Sequence, residues 1–319
     1  MNPKPEIRNP KLAFVFPGQG SQSVGMLHAL AAEFPVVKQT FVDASQALGY
    51  DLWQLVEQGP EAKLNQTEVT QPAMLAAGVA TWRVWIANNG PRPQFMAGHS
   101  LGEYSALVCA EALDFSDAVK LVGDRARFMQ LAVPVGEGGM AAILGLDDAA
   151  VRQLCARAAQ GEVLDAVNFN SPGQVVIAGT AGAVARAVEQ SKAAGAKRAV
   201  VLPVSVPSHC RLMHSAALAM AERLKQVSLR APTIPVIHNT HVRAESEPEA
   251  IRDALVRQIE SPVRWVETIE KMAAEGVERL VECGPGKVLA SLNKRIVKTI
   301  ETLPVFDSPT LREALAKVS

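Results

Sequence analysis

The chain has 319 residues, of which 48% are hydrophobic and 20% are charged. This balance is typical of a globular protein and excludes a fibrous or intrinsically disordered chain. The 32 basic and 32 acidic side chains cancel to a formal net charge of zero, so no overall field draws the chain to nucleic acid or to a membrane surface.

The chain begins with a polar, proline-containing segment, Met1–Pro10, that lacks the apolar stretch of a signal peptide. No later segment has the uninterrupted apolar length of a membrane span. The cysteines Cys109, Cys155, Cys210 and Cys283 show no CxxC spacing, which argues against a zinc site or a disulfide framework. These features predict a cytoplasmic protein.

Short apolar segments that end in glycine or polar turns alternate with longer segments of helical periodicity. The predicted strands are 12–16, 95–97, 236–238 and 279–282, and the predicted helices are 71–88, 101–113, 118–131 and 212–227. Such alternation predicts an α/β fold in which helices cover a parallel sheet.

Between about residues 139 and 206 the pattern changes to strand, helix, strand, strand, helix, strand. The turn between the middle strands is 170–173, a dense cluster of turn-forming residues. This order predicts a ferredoxin-like subdomain inserted into the larger unit. The expected domains are a discontinuous α/β core (11–135 and 207–305), the inserted subdomain (136–206) and a C-terminal tail (306–319).

A GxSxG pentapeptide, Gly98–Gly102, lies between a predicted strand and a predicted helix. This is the context that a nucleophile elbow requires, and its glycines allow the close backbone approach of a sharp turn. Ser100 is therefore the candidate nucleophile. The helix that follows directs backbone N–H groups at an oxyanion, and the Leu101 N–H is the expected first donor.

A serine hydroxyl needs a general base, and histidine is the usual base near neutral pH. Six histidines compete for this role: His28, His99, His209, His214, His238 and His241. His99 is a weak candidate because neighbouring side chains on a tight turn diverge. His238 and His241 lack a third ligand at a recognisable metal spacing, so a solvated or hydrogen-bonded pair is expected. Spacing alone does not choose between His209 and the others.

Five segments in order resemble the malonyl-CoA–acyl carrier protein transacylases of bacterial fatty acid synthesis. They read FPGQGSQ from Phe16, GHSLGEYSAL from Gly98, NFNSPGQVVIAG from Asn168, VSVPSHC from Val204 and ECGPG from Glu282. The resemblance runs from residue 11 to about residue 305. It implies a hydrolase-like α/β core with a ferredoxin-like subdomain.

The activity implied by the resemblance is transfer of malonyl from malonyl-CoA to acyl carrier protein through a malonyl-serine ester. Coenzyme A thioester is then a substrate, and neither a cofactor nor a metal is needed. The resemblance implies Ser100 as the acylated nucleophile, His209 as its base, and Gln19 beside the Leu101 N–H in the oxyanion hole. In this family backbone carbonyls typically orient the base, and Asn239 lies in the matching region.

Arg125 matches the arginine with which the family binds the free carboxylate of malonate. A planar guanidinium suits this role because it makes two parallel charge-assisted bonds to a carboxylate. The family's usual glycine after this arginine is Ala126 here, and Arg127 follows. On a helix these two arginines face apart, so Arg125 is the residue carried over. Gln258 resembles a further active-site amide.

Acyl carrier proteins are acidic, so a basic docking surface is expected. The candidate residues are Lys287, Lys294, Arg295 and Lys298 near one helical face, and Lys197 with Arg198 elsewhere. A monomer is the expected oligomeric state. The alternatives are a serine esterase or thioesterase with the same elbow and base, a malonyltransferase of polyketide synthesis, and a non-catalytic scaffold.

Overall fold

A computed structural model describes residues 11–204 and 206–318, so the prediction for Met1–Pro10 lies outside the described residues. The strands are β1 Leu12–Phe16, β2 Phe95–Gly98, β3 Gly138–Leu144, β4 Leu164–Ser171, β5 Gln174–Thr180, β6 Arg198–Val201, β7 Val236–Ile237, β8 Arg279–Cys283 and β9 Glu301–Val305. The helices of the first half are α1 His28–Glu33, α2 Pro35–Leu48, α3 Leu52–Gln58, α4 Glu61–Leu64, α5 Thr67–Ala87, α6 Gly102–Cys109 and α7 Phe115–Ala132. Those of the second half are α8 Asp148–Ala159, α9 Ala181–Ser191, α10 His214–Leu224, α11 Pro248–Gln258, α12 Trp265–Ala274, α13 Val288–Ile296 and α14 Ser308–Val318.

The larger sheet is parallel and has the strand order β7-β2-β1-β8-β9. Its central strand β1 is buried along its whole length, which explains why it reads as a continuous apolar run. Phe14 of β1 packs edge-on against Trp82 and Trp85 of α5, with ring centroids 5.2 Å apart in both pairs. The predicted α/β fold with a parallel-sheet core is confirmed.

The smaller sheet is antiparallel and has the order β4-β5-β3-β6. The predicted order of strands and helices is confirmed here, and α8 and α9 pack apolar side chains on one face of the sheet. Strand β4 meets the larger unit through two backbone hydrogen bonds, from Phe169 N–H to the Val263 carbonyl (3.0 Å) and from Val263 N–H to the Val167 carbonyl (2.8 Å). The division of the chain into domains at residues 136 and 206 stays a prediction.

The segment after β9 differs from the predicted C-terminal tail (306–319), because most of it forms α14. Leu311, Ala314 and Val318 recur at helical spacing and are buried in the core of the larger unit. At the start of the helix, the Asp307 carboxylate accepts the Thr310 N–H at 2.8 Å. Helices α1 to α4, which lie between β1 and α5, have no counterpart among the predicted helices, and neither do α11 and α12.

All four cysteines are buried and form no disulfide. Burial raises the pKa of Cys155 and Cys210 to about 12, and raises the pKa of Cys109 and Cys283 well above the ordinary thiol value. Within 11–204 and 206–318, no helix is long and apolar enough to cross a membrane.

Candidate active site

The nucleophile elbow lies between β2 and α6, with Ser100 at its tip in the left-handed conformation (φ 52°). A non-glycine residue in this region carries backbone strain, which is found at functional turns. Two glycines make the turn possible. A Cβ at Gly98 would lie 1.8 Å from the Gly102 carbonyl carbon, and one at Gly102 would lie 2.1 Å from the Phe16 carbonyl oxygen.

His209 is the histidine that the structure brings to the serine. Its Nε2 lies 2.7 Å from Ser100 Oγ, and its Nδ1 lies 2.8 Å from the backbone carbonyl oxygen of Gln258. A carbonyl only accepts, so Nδ1 carries the hydrogen and Nε2 presents its lone pair to the serine hydroxyl. This is the tautomer that a general base for Ser100 requires.

The environment of His209 keeps its imidazole neutral. Burial, followed by the positive charge of Arg125, lowers the pKa of His209 from 6.5 to about 3. The imidazole is therefore unprotonated near pH 7 and available to accept a proton from Ser100.

Arg125 is buried in α7, with its side chain directed at the nucleophile. Nη1 donates to Gln71 Oε1 at 2.7 Å, and Nη2 donates to Gln258 Oε1 at 3.0 Å and to Ser100 Oγ at 3.3 Å. No carboxylate of the described residues forms an ion pair with this guanidinium. The guanidinium also lies over the Tyr104 ring, 5.5 Å from its centroid. A buried cation that forms no ion pair with a carboxylate is a suitable site for an anionic group.

Arg127 has a different environment, as its position on the helix predicts. Its side chain is 56% exposed and pairs with Asp124 at 2.8 Å, which leaves it away from the serine. The structure therefore places one arginine of the two at the site.

The predicted oxyanion donors lie around the same cavity. Leu101 precedes α6, and its N–H donates to no atom of residues 11–204 and 206–318. Gln19 follows β1 and lines the cavity; its Oε1 accepts the Thr67 hydroxyl at 3.1 Å, and its amide N–H groups donate to no atom of the described residues. Both groups suit an oxyanion that forms on an acyl group bound to Ser100.

The cavity has a volume of about 120 Å³ and lies between the two sheets. Most of its polar lining comes from the larger unit, and the inserted segment adds the polar side chain of Asn168 and the apolar side chains of Met140, Leu202 and Val204. The cavity therefore combines a nucleophile and a cation with walls that are partly apolar.

Asn239 supports the elbow rather than the histidine. Its Oδ1 accepts the Ser100 N–H and its Nδ2 donates to the Gly98 carbonyl, both at 2.7 Å. The carbonyl that orients His209 belongs to Gln258. The Gln258 side chain donates through Nε2 to the Ser100 carbonyl at 3.0 Å and accepts from Arg125, so it joins nucleophile, base and cation.

The sequence analysis missed the buried carboxylate of Glu103, in the first turn of α6. It accepts His238 Nδ1 at 2.7 Å, the Asn239 N–H at 2.9 Å and Gln258 Nε2 at 3.0 Å. A charged residue in an otherwise apolar helix was the available signal. The sequence analysis also missed Thr67 and Gln71, which line the cavity from α5.

The remaining histidines have other partners. The Nε2 atom of His99 lies 2.8 Å from Asn170 Oδ1, which links the elbow to β4. The rings of His238 and His241 stack with centroids 5.5 Å apart, and each ring bonds a carboxylate, so of the two expected alternatives, solvated or hydrogen-bonded, the structure has the hydrogen-bonded one. Both predicted basic clusters are exposed: Lys287, Lys294, Arg295 and Lys298 at α13, and Lys197 with Arg198 at β6.

Comparison with known proteins adds independent findings. A model of the acyl transferase domain family matches residues 13–310. The malonyl CoA-acyl carrier protein transacylase of Salmonella typhimurium is 58% identical over 96% of this chain and 99% of the relative, and the Escherichia coli (strain K12) protein of the same name is also 58% identical over 96% and 99%.

Solved structures agree with these relatives. An acyl carrier protein S-malonyltransferase from Vibrio cholerae superposes with a TM-score of 0.93 at 60% identity, covering 95% of this chain and 99% of the other. A malonyl transacylase in complex with its holo type II polyketide synthase acyl carrier protein gives a TM-score of 0.95 at 56% identity, covering 96% and 99%.

Proposed function

The chain belongs to the acyl transferase family, and on this premise we propose that it transfers malonyl from malonyl-CoA to acyl carrier protein, supplying extender units for fatty acid synthesis. The observation that carries the proposal is the surroundings of Ser100 Oγ. The base nitrogen of His209 lies 2.7 Å from it, and the Arg125 guanidinium, which has no carboxylate partner in the described chain, lies 3.3 Å away. Nucleophile, base and carboxylate site thus share one cavity.

The first half-reaction acylates the serine. His209 accepts the Ser100 proton as Oγ attacks the thioester carbonyl, and the Leu101 N–H and the Gln19 amide hold the oxyanion. When the tetrahedral intermediate collapses, the carbon–sulfur bond breaks and His209 returns the proton to the sulfur of coenzyme A. Malonyl then remains on Ser100 as an ester.

The second half-reaction runs in the opposite sense. The phosphopantetheine thiol of the carrier protein enters the cavity, loses its proton to His209 and attacks the ester. The carbon–oxygen bond to Ser100 breaks, and the serine recovers its proton from His209. Exchange between two thiols is redox-neutral and needs only a nucleophile, a base and an oxyanion site, so we propose that no cofactor or metal takes part.

Arg125 determines the substrate class in this scheme. The free carboxylate of malonyl accepts hydrogen bonds from the guanidinium and supplies its negative counter-charge. None of the described residues supplies this charge by a direct ion pair. An acetyl group would leave the buried cation without a direct anionic partner, so acylation by acetyl-CoA is slow.

The carrier protein meets the enzyme at a basic surface. The exposed cations at α13 and the pair Lys197 and Arg198 are the two candidates, and a charge reversal in each cluster decides between them through KM for carrier protein.

We propose a monomer in a reducing cytoplasm, a location that the four unpaired cysteines favour.

Intact-mass measurement tests the proposal. The protein is incubated with malonyl-CoA or with acetyl-CoA, and phosphopantetheinylated carrier protein is then added. We expect a malonyl adduct that is absent from Ser100→Ala and passes to the carrier, with little acetyl adduct. An adduct lost to water equally fast without carrier would support a thioesterase instead, and no adduct would support a scaffold.

A further inference from the structure

Two buried groups of opposite charge lie on either side of the Gln258 carboxamide. Arg125 is 1% exposed, and its Nη2 donates to Gln258 Oε1 at 3.0 Å. Glu103 is fully buried, and its Oε2 accepts from Gln258 Nε2 at 3.0 Å. The two charges are thus joined by a single amide instead of a direct ion pair. We call Arg125, Gln258 and Glu103 the bridged pair.

The chemistry of the two charged groups fixes the orientation of the bridging amide. A guanidinium only donates and a carboxylate only accepts, so the Gln258 oxygen must face Arg125 and its NH₂ group must face Glu103. The NH₂ group also donates to the Ser100 carbonyl at 3.0 Å. The bridge is therefore polarised in one direction and ends beside the backbone of the nucleophile.

The other contacts of Glu103 indicate that it carries a negative charge. Its oxygens also accept from His238 Nδ1 at 2.7 Å and from the Asn239 N–H at 2.9 Å, so each of its partners donates and none offers an acceptor for a carboxyl proton. His238 Nε2 has no hydrogen-bond partner among the described residues, which suits a neutral ring because a protonated one would bury an N–H without an acceptor. His238 therefore does not cancel the charge of Glu103.

Tyr104 does not supply a negative charge for the guanidinium, although its ring lies beside it, with the centroid 5.5 Å from Arg125 Cζ. Burial raises the pKa of Tyr104 to about 12, so its phenol is uncharged near pH 7. The Gln71 carboxamide that accepts from Arg125 Nη1 is neutral as well. Among these neighbours, Glu103 is the anion.

We propose that Glu103 is a positioning residue for the reaction: it acts through Gln258 as the counter-ion of Arg125, and so sets how strongly the guanidinium binds the carboxylate of the substrate. A direct ion pair would occupy the N–H groups that malonyl needs, whereas the bridged pair offsets the charge and leaves them available. The Glu103 carboxylate also repels the substrate carboxylate across the amide, which limits how tightly malonyl is held. This inference rests on the proposed function, in which Arg125 binds malonyl.

Glu103→Gln removes the charge with little change in shape. The new amide oxygen can accept from Asn239 and Gln258, and its NH₂ group can donate to His238 Nδ1 once the ring proton moves to Nε2. Because the repulsion of the substrate carboxylate is gone, kcat/KM for malonyl-CoA relative to acetyl-CoA should rise about tenfold. A merely structural role of Glu103 would slow both thioesters equally, so an unchanged or lower ratio overturns the proposal.

A double-mutant cycle in stability tests the pairing without any use of activity. Arg125→Met leaves a buried anion and Glu103→Gln leaves a buried cation, whereas the double variant leaves neither. Urea titration is done at about pH 8, where an ordinary histidine is neutral. The unfolding equilibrium constant of the double variant should be at least about tenfold smaller than the product of the two single effects predicts. Additive effects would overturn the proposal.

Arg127→Met is the matched control, because Arg127 is an exposed arginine of the same helix that pairs with Asp124. Its effect on stability should be additive with that of Glu103→Gln. If Glu103→Gln alone does not fold, the double variant with Arg125→Met must still fold, and its failure to do so overturns the proposal. Wild-type protein that forms no malonyl adduct on Ser100 refutes the proposed function. Success there with an additive cycle or an unchanged ratio refutes the role of the bridged pair alone.

Discussion

Replacement of Arg125 by methionine is expected to abolish the preference for malonyl over acetyl. Methionine fills much of the same buried space but cannot donate hydrogen bonds. Arg125 sits within bonding distance of the nucleophile, with Nη2 3.3 Å from Ser100 Oγ. Two charge-assisted bonds to a substrate carboxylate are together worth about 3 kcal/mol or more. Each 1.4 kcal/mol corresponds to about a factor of ten, so kcat/KM for malonyl-CoA should fall at least about 100-fold relative to acetyl-CoA.

The ratio of the two substrates is the quantity to measure, because Arg125 also holds Gln71 and Gln258 in place. Loss of that support slows acylation by both thioesters and cancels in the ratio. Single-turnover acylation of Ser100, followed by intact mass, gives both rates in the same assay. Arg127→Met is the matched control, since Arg127 is an exposed arginine of the same helix and should leave the ratio unchanged.

An equal loss of both rates in Arg125→Met would contradict the role of this residue in selectivity. It would mean that the guanidinium only supports the site and that the malonyl carboxylate is bound elsewhere. A changed ratio in Arg127→Met would point to the surface pair with Asp124 instead.

Three further perturbations follow from the same contacts. Removal of the Arg125 charge should raise the pKa of His209, so the acid limb of the pH profile of acetyl-CoA acylation should move to higher pH in Arg125→Met. The rate of the wild-type protein should stay level down to the lowest pH at which it is folded. Identical profiles for the two proteins would contradict this prediction. Gln71→Glu places a carboxylate 2.7 Å from the guanidinium, where it should compete with malonyl and raise KM for malonyl-CoA; an unchanged KM would show that the substrate does not need this cation. Glu103→Leu leaves three buried N–H donors without their acceptor, which should lower the free energy of unfolding by at least about 3 kcal/mol. Urea titration measures this loss. A loss below about 1 kcal/mol would mean that water or rearrangement satisfies the three donors.

The parts of the fold with strong local patterns could be predicted from the sequence. Strand β1 has the bounds that its apolar run predicts, residues 12–16. Helix α5 begins at Thr67, four residues before the predicted start, because Pro72 lies inside the helix rather than at its first turn. That missing turn is the one that carries Thr67, so its place at the cavity could not be predicted.

The candidate site could be predicted where its residues are fixed by a motif, but not where residues meet only in space. Ser100 stands in a pentapeptide with its own geometry, whereas spacing along the chain left His209 one of several histidines. Glu103 and Gln258 are 155 residues apart in the sequence and meet at 3.0 Å in the core. Hydrogen bonds of this kind depend on tertiary packing, which no local pattern encodes.

The buried cysteines affect what an acyl group can react with inside this protein. Thioesters exchange readily with free thiolates, and the thiolate is the reactive form. Cys210 directly follows the base His209, yet its Sγ is buried and bonds the Pro207 carbonyl at 3.1 Å, and its pKa is raised to about 12. Internal thiols therefore do not compete with Ser100 for malonyl. For the same reason a cysteine introduced on the surface would be selectively alkylated in the folded protein, which makes site-specific labelling of that surface position possible without removing native cysteines.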